Sequence, residues 1–493
     1  MPSATVAPVF IDVSNKVSVD APLSLYMALR DRRYPYLLES VEKSGQKARF
    51  SFVGADPSAM ISIKNRFLKM EFFNGGMGPM EERLSVCVQV EKKGSVLQGP
   101  IKDGYDLFDA LRAAIPSSNG MPNSFSRQVF TGGGIGYLAY DLVKERLGKR
   151  STSDTPDAQF GLAESTFIFD HLDRKVYFSL APILPGPKVN LIETIGGIDP
   201  DYNPDEDPNI AGRVLSAGEP EEYKDAVRHA KKHIIDGDIF QVVLARSTRI
   251  ECPDPVKLYL KLRSINPSPY TYLFEFGDLA IVGASPETLF NTYNRMLKVN
   301  PIAGTCPRGR TKSEDDRYAK IMLNDEKEKA EHVMLVDLGR NDVRSVCRSG
   351  TVQVEDFMSV LQYSHVQHIE TTVIGELREE CDQFDAARSV FPAGTLSGAP
   401  KLRAMEIIDE LEAAPRGIYG GGIGYFSIDG SSDFAIAIRS VLVKDGVATV
   451  QAGAGIVADS DPEKEYQETI NKAKAVIISL EKAQEEQDDP TDR

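Results

Sequence analysis

Four glutamates in two short segments are the side chains of this sequence best suited to hold a cation. Glu328 and Glu331 lie three residues apart, as do Glu465 and Glu468, in segments predicted to be helical. Carboxylates at this spacing project from one helix face, where they repel each other unless a cation lies between them. Their oxygens suit Mg²⁺, which proteins often hold by one or two carboxylates together with ligand oxygens. A single such pair is more often a solvated charged face, so the predicted Mg²⁺ site depends on what accompanies both pairs.

Two glycine-rich segments and an arginine accompany the glutamates. In Phe391–Lys401, glycines precede a predicted helix for which Ser397 is the expected N-cap and Pro400 a first-turn residue. Backbone N–H groups at such a helix start can bind an anion. The segment 451–456, Gln-Ala-Gly-Ala-Gly-Ile, offers a second glycine surface, and Arg439 adds positive charge from a predicted strand. Together these features predict a pocket for a small carboxylate-bearing molecule, with Mg²⁺ held by the acidic helices.

Two other motifs suggest functions that their context does not support. Gly453–Ala458 matches the GxGxxA pattern of dinucleotide sites, but Pro462 predicts that the next helix begins too late to receive a pyrophosphate. His365 and His368 lie in a strand-like run, where a spacing of three residues places them on opposite faces. We therefore predict neither a dinucleotide site nor a metal chelated by both histidines.

Composition narrows the class of protein. The 493 residues are 42% hydrophobic and 26% charged, as in a globular protein of two or three domains or one large composite fold. The net charge of −15 disfavours nucleic acid or an anionic membrane as partner. Apolar runs are only strand-length, and the N-terminus shows no signal-peptide pattern. The five cysteines are isolated, which favours reduced thiols over disulfides or zinc. These features predict a cytoplasmic protein.

A segment rich in proline, glycine and aspartate divides the chain. The predicted parts are an N-terminal region (1–184), a linker (185–220), a catalytic region (221–482) and a flexible tail (483–493). The motif Gly-Gly-Gly-Ile-Gly-Tyr begins both 132–141 and 420–429. Glycines in an apolar strand indicate close backbone approach, so the repeat suggests related strands in the two regions. The expected fold class is α+β, a large β-sandwich of antiparallel or mixed sheets flanked by helices.

Longer segments carry a resemblance to a known family. They are Asp236–Val243, Pro301–Thr305, Glu328–Asp342, Phe391–Lys401 and Gln451–Ile456. In this order they resemble the chorismate-utilising enzymes, most closely the large subunits of anthranilate synthases, strongly over about 220–480 and more weakly before it. The resemblance implies the fold of that family, with the N-terminal region regulatory and packed on the catalytic region. It also implies Mg²⁺-dependent conversion of chorismate and ammonia to anthranilate and pyruvate, the first step of tryptophan biosynthesis.

Two positions favour ammonia over other nucleophiles. Isochorismate and salicylate synthases place a lysine, the base for an attacking water, where this chain has Gln241. A neutral amide cannot deprotonate water, but it can coexist with ammonia, which is already nucleophilic. Aminodeoxychorismate synthases often carry a nucleophilic lysine where this chain has Ala303, which cannot attack. The alternative function is nevertheless an aminodeoxychorismate synthase component I of the folate pathway.

The resemblance assigns roles residue by residue. The implied Mg²⁺ ligands are Glu331 and Glu468, supported by Glu328 and Glu465. The implied chorismate contacts are Gly304, Thr305, Tyr419, Arg439, Gly453, Ala454 and Gly455. The implied catalytic residues are His368, Thr395 and Gln241. In this scheme His368 lies near the departing C4 hydroxyl and acts in the later elimination, and Thr395 lies beside the reacting ring.

The resemblance also implies an inhibitor and a partner. Leu37–Ser40 and Asn266–Tyr270 resemble two segments that hold inhibitory L-tryptophan, although they are equally explained as a strand end and a turn. The expected inhibitor contacts are Glu39, Ser40, Pro269, Tyr270 and Thr271. Thr271 replaces a methionine common in the family, which leaves inhibition open. No cysteine lies in a glutaminase motif, so ammonia is expected from a glutamine amidotransferase subunit, in a heterotetramer of two large and two small subunits.

Overall fold

The computed structural model describes residues 7–40, 49–117, 125, 127–199, 212–362 and 366–480. Its helices are α1 (Pro22–Leu29), α2 (Met77–Leu84), α3 (Leu107–Ala114), α4 (Val143–Arg146), α5 (Pro220–Ile235), α6 (Pro255–Ile265), α7 (Lys312–Asn324), α8 (Glu326–Val346), α9 (Gln383–Val390), α10 (Lys401–Leu411) and α11 (Pro462–Ile478). Short 3₁₀ turns cover Tyr140–Leu142, Leu191–Gly197 and Gly394–Leu396.

The strands follow in chain order. They are β1 (Val9–Asp12), β2 (Tyr36–Glu39), β3 (Phe50–Gly54), β4 (Ala59–Lys64), β5 (Phe67–Phe72), β6 (Glu91–Lys93), β7 (Val96–Pro100), β8 (Gly133–Leu138), β9 (Ala158–Ala163), β10 (Ser165–Asp170), β11 (Lys175–Leu180), β12 (Val214–Ala217), β13 (Gln241–Glu251), β14 (Tyr270–Glu275), β15 (Leu279–Ser285), β16 (Thr288–Tyr293), β17 (Met296–Val299), β18 (Ile302–Pro307), β19 (Gln353–Gln362), β20 (Val366–Glu376), β21 (Gly398–Ala399), β22 (Gly422–Ser427), β23 (Ser432–Ile436), β24 (Ser440–Lys444) and β25 (Val447–Ile456).

These strands form two large antiparallel sheets that pack face to face. The order in the first is β1-β11-β10-β3-β2-β14-β15-β24-β25-β13-β12, with β21 beside β13. In the second it is β18-β20-β17-β16-β23-β22-β8-β9-β4-β5-β7-β6, with β19 beside β20. Aromatic side chains of both sheets, such as Phe274 and Tyr425, share one buried cluster, and two further clusters join the outer faces to the helices. The predicted α+β sandwich is confirmed.

Each sheet has matching strands on either side of its centre. In the first sheet β2 and β14 are central, and β3, β10 and β11 correspond to β15, β24 and β25. In the second the repeated glycine strands β8 and β22 are central, with Gly136 paired to Gly424. A Cβ on these glycines would lie 2.0 and 1.9 Å from a carbonyl oxygen of the next strand. The repeat therefore marks two related halves of the chain, whose close strand packing requires glycine.

Helices α3 and α9 are equivalent elements of the two halves and contact each other. Each begins at a capping box within the repeated motif Asp-x-Phe-Asp-Ala-x-Arg. The motif residues are Asp106, Asp109 and Arg112 in one helix and Asp382, Asp385 and Arg388 in the other. Each arginine contacts carboxylates of both helices at 2.6–2.8 Å. The two halves are thus joined by a symmetric network of charge-assisted hydrogen bonds.

Strands from both sides of the predicted division at 185–220 lie in both sheets. Within that segment the 3₁₀ turn Leu191–Gly197 and strand β12 are ordered elements, and β12 pairs with β13. The predicted tail, 483–493, lies outside the described residues, as does His365. In the part of the chain that the structure describes, no helix is both long and apolar enough to cross a membrane.

Two local predictions are wrong. Ser397 does not cap α10, because its hydroxyl donates to the Ala393 carbonyl at 2.8 Å and the next residue, Gly398, pairs with β13 as part of β21. The helix therefore begins only at Lys401, with Pro400 before it. Arg439 is not on a strand either, since it links β23 to β24 with a left-handed φ of 50°.

Candidate active site

The two glutamate pairs lie on helices that bring their charges together. Helix α8 packs against β18 and β20, and α11 packs against β25. Burial raises the pKa of Glu328, and the neighbouring carboxylates Glu331 and Glu468 raise it further. Burial likewise raises the pKa of Glu465, with a contribution from Glu468. The sequence thus places negative charge from two distant segments in one region, where the charge is incompletely balanced.

The donor set suits a hard cation, although the side chains do not form a complete cage. Among the described residues, no three His, Cys, Asp or Glu side chains are gathered as metal ligands. Glu468 instead pairs with Lys472 at 2.7 Å, and Glu331 accepts a hydrogen bond from Gln241. Mg²⁺ keeps several waters and needs only one or two carboxylates plus ligand oxygens, so this arrangement fits it better than a metal that requires an all-protein cage.

Gln241 is buried at the start of β13, beside one of the acidic helices. Its Nε2 donates to Glu331 Oε1 at 3.0 Å, and its Oε1 has no hydrogen-bond partner among the described residues. A Cβ on Gly455 would lie 2.6 Å from Gln241 Nε2 and 3.9 Å from Glu331 Oε1. The glycine therefore admits the amide and the carboxylate to one corner of the site, where an acceptor atom remains available to a ligand.

His368 and the Gly304–Thr305 bulge form another wall. His368 on β20 pairs with Thr305 on β18, and its Nδ1 lies 2.8 Å from the Gly304 carbonyl and 3.1 Å from Thr305 Oγ1. A bond to a carbonyl assigns the proton to Nδ1, which makes Nε2 the acceptor of the neutral ring. Burial lowers the pKa of His368, and the positive charges of Arg439 and Lys472 lower it further. The imidazole is therefore neutral near pH 7 and can accept a proton.

A cationic, glycine-lined wall adjoins the acidic groups, since Lys472 pairs with Glu468 on the same helix. A Cβ on Gly453 would lie 2.9 Å from Tyr419 Oη, and Lys472 Nζ donates to the Gly453 carbonyl at 3.1 Å. Ala454 is fully buried, so only its backbone is available to the site. Arg439, in its left-handed conformation, contributes to the electrostatics of the same pocket. Non-glycine residues adopt that conformation rarely, and such strain concentrates at binding sites.

Sequence reasoning missed two charged residues of this site. Glu287 is buried immediately before β16, where its Oε1 accepts a hydrogen bond from Thr395 Oγ1 at 2.8 Å. Burial raises the pKa of Glu287 to about 7, although Thr395 and Arg439 oppose the rise. The other residue is Lys472, four residues after Glu468 on α11. That spacing, which places both side chains on one helix face, was the available signal for Lys472. A carboxylate between two apolar strands was the signal for Glu287.

The two segments predicted to hold an inhibitor are adjacent at the centre of the first sheet. Glu39 on β2 lies opposite Thr271 on β14, and both are buried. Glu39 accepts hydrogen bonds from the Tyr259 hydroxyl and, at 3.2 Å, from Arg263 Nε. Ser40 Oγ is buried and has no partner among the described residues. Half-buried Pro269 and Tyr270 flank the same strand end, so all five predicted contacts lie in one neighbourhood.

Comparison with known proteins identifies the family of the chain. Residues 94–477 match a protein family described as chorismate binding enzyme. Anthranilate synthase component 1 2 of Haloarcula marismortui is 45% identical, over 99% of this chain and 95% of the relative. The component 1 protein of Thermococcus kodakarensis is 43% identical, over 93% and 97% respectively. The crystal structure of anthranilate synthase component I from Streptococcus pneumoniae matches with a TM-score of 0.72 and 36% identity, over 88% and 93%.

The fold and the family match define the class of protein. The chain belongs to the family of chorismate-binding enzymes. Within it, the chain is similar to the component 1 proteins of anthranilate synthases over nearly their whole length. The family resemblance predicted from the sequence motifs is therefore confirmed.

Proposed function

We propose that this chain is the large subunit of an anthranilate synthase, which converts chorismate and ammonia to anthranilate and pyruvate at the start of tryptophan biosynthesis. The contact between Gln241 Nε2 and Glu331 Oε1, 3.0 Å long, carries the proposal. By the resemblance, Gln241 would stand where a water-activating enzyme has its base, and this contact puts its amide beside Glu331 of the acidic site. Ammonia needs no such base, because its neutral form is already nucleophilic. The similarity to component 1 proteins supports the same reaction.

Substrate binding would use the two oppositely charged walls. Chorismate carries two carboxylates, one on the ring and one on the enolpyruvyl group. Arg439, Lys472 and the glycine-lined end of β25 suit the enolpyruvyl carboxylate. Glu331 and Glu468, supported by Glu328 and Glu465, would hold Mg²⁺ near the ring carboxylate. When bound, Mg²⁺ would supply positive charge that polarises this group.

Two proton transfers follow from the side chains of the site. Ammonia adds at C2 and the C4 hydroxyl departs as water, for which Glu287 can supply the proton. Its raised pKa, about 7, keeps a substantial fraction protonated near neutral pH, and Thr395 orients it. Neutral His368 can then accept the C2 proton as pyruvate leaves and the ring becomes aromatic. The products, anthranilate, pyruvate and water, account for all atoms of chorismate and ammonia.

The reaction can be tested directly. The purified chain is mixed with chorismate, Mg²⁺ and an ammonium salt at alkaline pH, and anthranilate is followed by its fluorescence. We expect anthranilate and an equal amount of pyruvate. A para-amino product that retains the pyruvyl group would instead establish an aminodeoxychorismate synthase, and isochorismate would show that water is the nucleophile.

The proposed metal ligands have a matched control on the same helix. We expect Glu468→Ala to abolish turnover and weaken Mg²⁺ binding at least about tenfold in calorimetry, because one of two ligands is lost. Glu463→Ala, an exposed change one turn earlier on α11, should alter neither. Full activity of Glu468→Ala would refute the ligand role.

We also propose a partner, an inhibitor and a location. Component 1 is the name of a subunit, which supports a second component, and we infer a glutamine amidotransferase in a heterotetramer of two large and two small subunits. L-Tryptophan is proposed to bind between Glu39–Ser40 and Pro269–Thr271. The buried Ser40 hydroxyl has no hydrogen-bond partner within the described parts of the chain, which supports a ligand there. We expect the enzyme to be cytoplasmic. Calorimetry with tryptophan, and glutamine-dependent activity with the second component, test these assignments.

A further inference from the structure

Tyr270 connects the two sheets at a crossing, where the chain passes from β15 in the first sheet through Pro286 and Glu287 to β16 in the second. It is the first residue of β14 in the first sheet, where it pairs with Ser285 at the end of β15. Its hydroxyl lies 2.9 Å from Oγ1 of Thr288, the first residue of β16 in the second sheet. It also donates to Asp433 Oδ1 at 3.0 Å. Tyr270 therefore contacts both ends of a crossing whose middle contains only two residues.

That crossing carries the buried carboxyl of the site. The Glu287 N–H donates to Ser285 Oγ at 3.3 Å, and the Glu287 carbonyl accepts the Ile436 N–H at 2.9 Å. Its side chain accepts from Thr395. With two residues between the anchored ends, a shift of Thr288 must be shared by the backbone of Glu287. The position of this carboxyl thus depends on a tyrosine that lies outside the acidic and cationic walls.

We propose that Tyr270 is a positioning residue for Glu287 and that it transmits occupancy of the tryptophan segments to the chorismate site. The second part rests on the proposed function, because Tyr270 belongs to the segment proposed to hold tryptophan. A ligand that displaces the start of β14 moves the Tyr270 hydroxyl away from Thr288. Glu287 then loses its alignment without any change in the residues that bind the carboxylates. The coupling path is a pair of hydrogen bonds and one short crossing.

A pH profile separates this role from a general effect on folding. The groups that act on the pKa of Glu287 are Thr395, Arg439, Glu370 and Lys472. Tyr270→Phe replaces none of them, but it removes the hydrogen bond donated to Asp433, whose pKa burial raises to about 7, and Tyr270 also interacts with Glu370. Thr288→Val leaves the Tyr270–Asp433 bond in place, so a shift in the profile shared by both variants reports the burial and alignment of Glu287. Release of the crossing would admit water and lower the pKa of Glu287, so its protonated form would be lost at lower pH.

The main test is Tyr270→Phe in the full chain, compared with Tyr137→Phe. Unlike the half-buried Tyr270, Tyr137 is fully buried in the core between the sheets, and its hydroxyl bonds Gln159, away from the crossing. With ammonia as nucleophile and its ionisation corrected for, we expect Tyr270→Phe to lower kcat about tenfold or more. The chorismate KM should stay within about twofold, and the basic limb of the kcat profile should move to lower pH. Tyr137→Phe should retain the parent values.

Two further measurements test transmission and guard against a misfolded variant. Phenylalanine keeps the ring and backbone of position 270 and loses only the hydroxyl that bonds Thr288 and Asp433. Tryptophan should therefore bind Tyr270→Phe within about threefold of the parent affinity in calorimetry, yet inhibit it far less. Thr288→Val, which removes the other partner, should reproduce the kinetic changes, and the double variant should add little.

Each outcome has a distinct meaning. Parent-like kcat, profile and inhibition in both Tyr270→Phe and Thr288→Val would overturn the positioning role. A parent enzyme that makes anthranilate but ignores tryptophan would overturn the transmission alone. A parent chain that makes no anthranilate would contradict the proposed function itself.

Discussion

The two halves of the chain share a framework but differ at the end where a ligand can enter. Their equivalence is visible in two buried hydroxyl pairs, since Tyr36 bonds Thr166 at 2.7 Å in one half and Tyr272 bonds Ser440 at 2.6 Å in the other. The residue before Ser440 is Arg439, whereas a serine precedes Thr166. One half therefore presents a cation at the position where the other presents a small neutral side chain.

The N-terminal half closes the equivalent region with its own chain. Glu164 Oε1 accepts the N–H groups of Ile183 and Leu184 at 2.5 and 2.7 Å, and Lys188 Nζ at 2.8 Å. Leu184 lies close to Gly76: a Cβ added to Gly76 would be 2.7 Å from the Cβ of Leu184. The Glu164 charge is thus satisfied within the chain, and Leu184 fills the adjoining space. The halves therefore differ in how this region is filled: a leucine and an internal ion pair occupy it in the N-terminal half, whereas Gly453 and Gly455 leave room for polar side chains in the C-terminal half.

The largest expected effect comes from giving the C-terminal half the serine that the N-terminal half has at the position equivalent to Arg439. Arg439 is half-buried and is proposed to bind a carboxylate of chorismate. Arg439→Ser should lower kcat/KM for chorismate about a thousandfold, because loss of a charge–carboxylate contact enclosed on binding typically costs about 2–5 kcal/mol. Anthranilate fluorescence measures this loss, and circular dichroism checks the fold. Ser165→Ala in the other half should leave activity unchanged. A loss below about tenfold would show that the cation at this position is not what distinguishes the halves.

Glu287→Gln should lower kcat about a hundredfold or more, since a general acid typically accelerates a reaction about 10²–10⁴-fold. It should also stabilise the fold at alkaline pH. The pKa of Glu287 is raised from 4.5 to about 7 in the folded state, so the folded protein binds the extra proton and loses stability as pH rises through that window. Above pH 7 the penalty approaches about 3 kcal/mol.

The check is urea unfolding of parent and Glu287→Gln at pH 5 and pH 8. We expect the advantage of the variant to grow with pH. If the unfolding free energies of parent and variant differed equally at both pH values, the pKa of Glu287 would be ordinary. One contrast between the halves would then be lost.

The symmetric network between α3 and α9 predicts equal effects in the two halves. Arg112→Ala and Arg388→Ala should each lower the free energy of unfolding by about 1–3 kcal/mol, discounted because both arginines are about one-third exposed. The double variant should lose more than the sum, because Asp109 and Asp385 each contact both arginines and lose both of these partners only when both are removed. Urea unfolding measures all three variants. A much larger effect from one arginine would break the equivalence of the halves.

The smallest expected effect concerns the hydroxyl pairs. Tyr36→Phe and Tyr272→Phe should each cost about 1 kcal/mol of unfolding free energy, the usual net value of one hydrogen bond. Only Tyr272→Phe should also raise the chorismate KM a few-fold, because its partner Ser440 adjoins Arg439. Thermal unfolding and steady-state kinetics separate the two effects. A KM change in Tyr36→Phe would mean that the closed half still influences the open one.

Features that depend on local spacing were predictable from the sequence. Both glutamate pairs lie on helices, α11 begins at Pro462, and the glycine repeat marks equivalent strands. Glu287 carried only the weak signal of a carboxylate between two apolar strands, because its burial and its bond to Thr395 join segments 108 residues apart. The cap expected at Ser397 failed because strand pairing by Gly398 outweighed a local capping preference. Bound Mg²⁺, tryptophan and the second subunit stay predictions.

The central position of β8 has a consequence for synthesis of the chain. Its partner β22 begins 284 residues after β8 ends, so at about 5–20 residues per second the strand waits about 14–57 s on the ribosome for its neighbour. An unpaired strand edge can recruit other nascent chains. Gly133, Gly134 and Gly136 give this edge a low β-propensity and so make it a poor template for such pairing. The glycines that let the two folded halves approach closely therefore also protect the N-terminal half from pairing with other chains during synthesis.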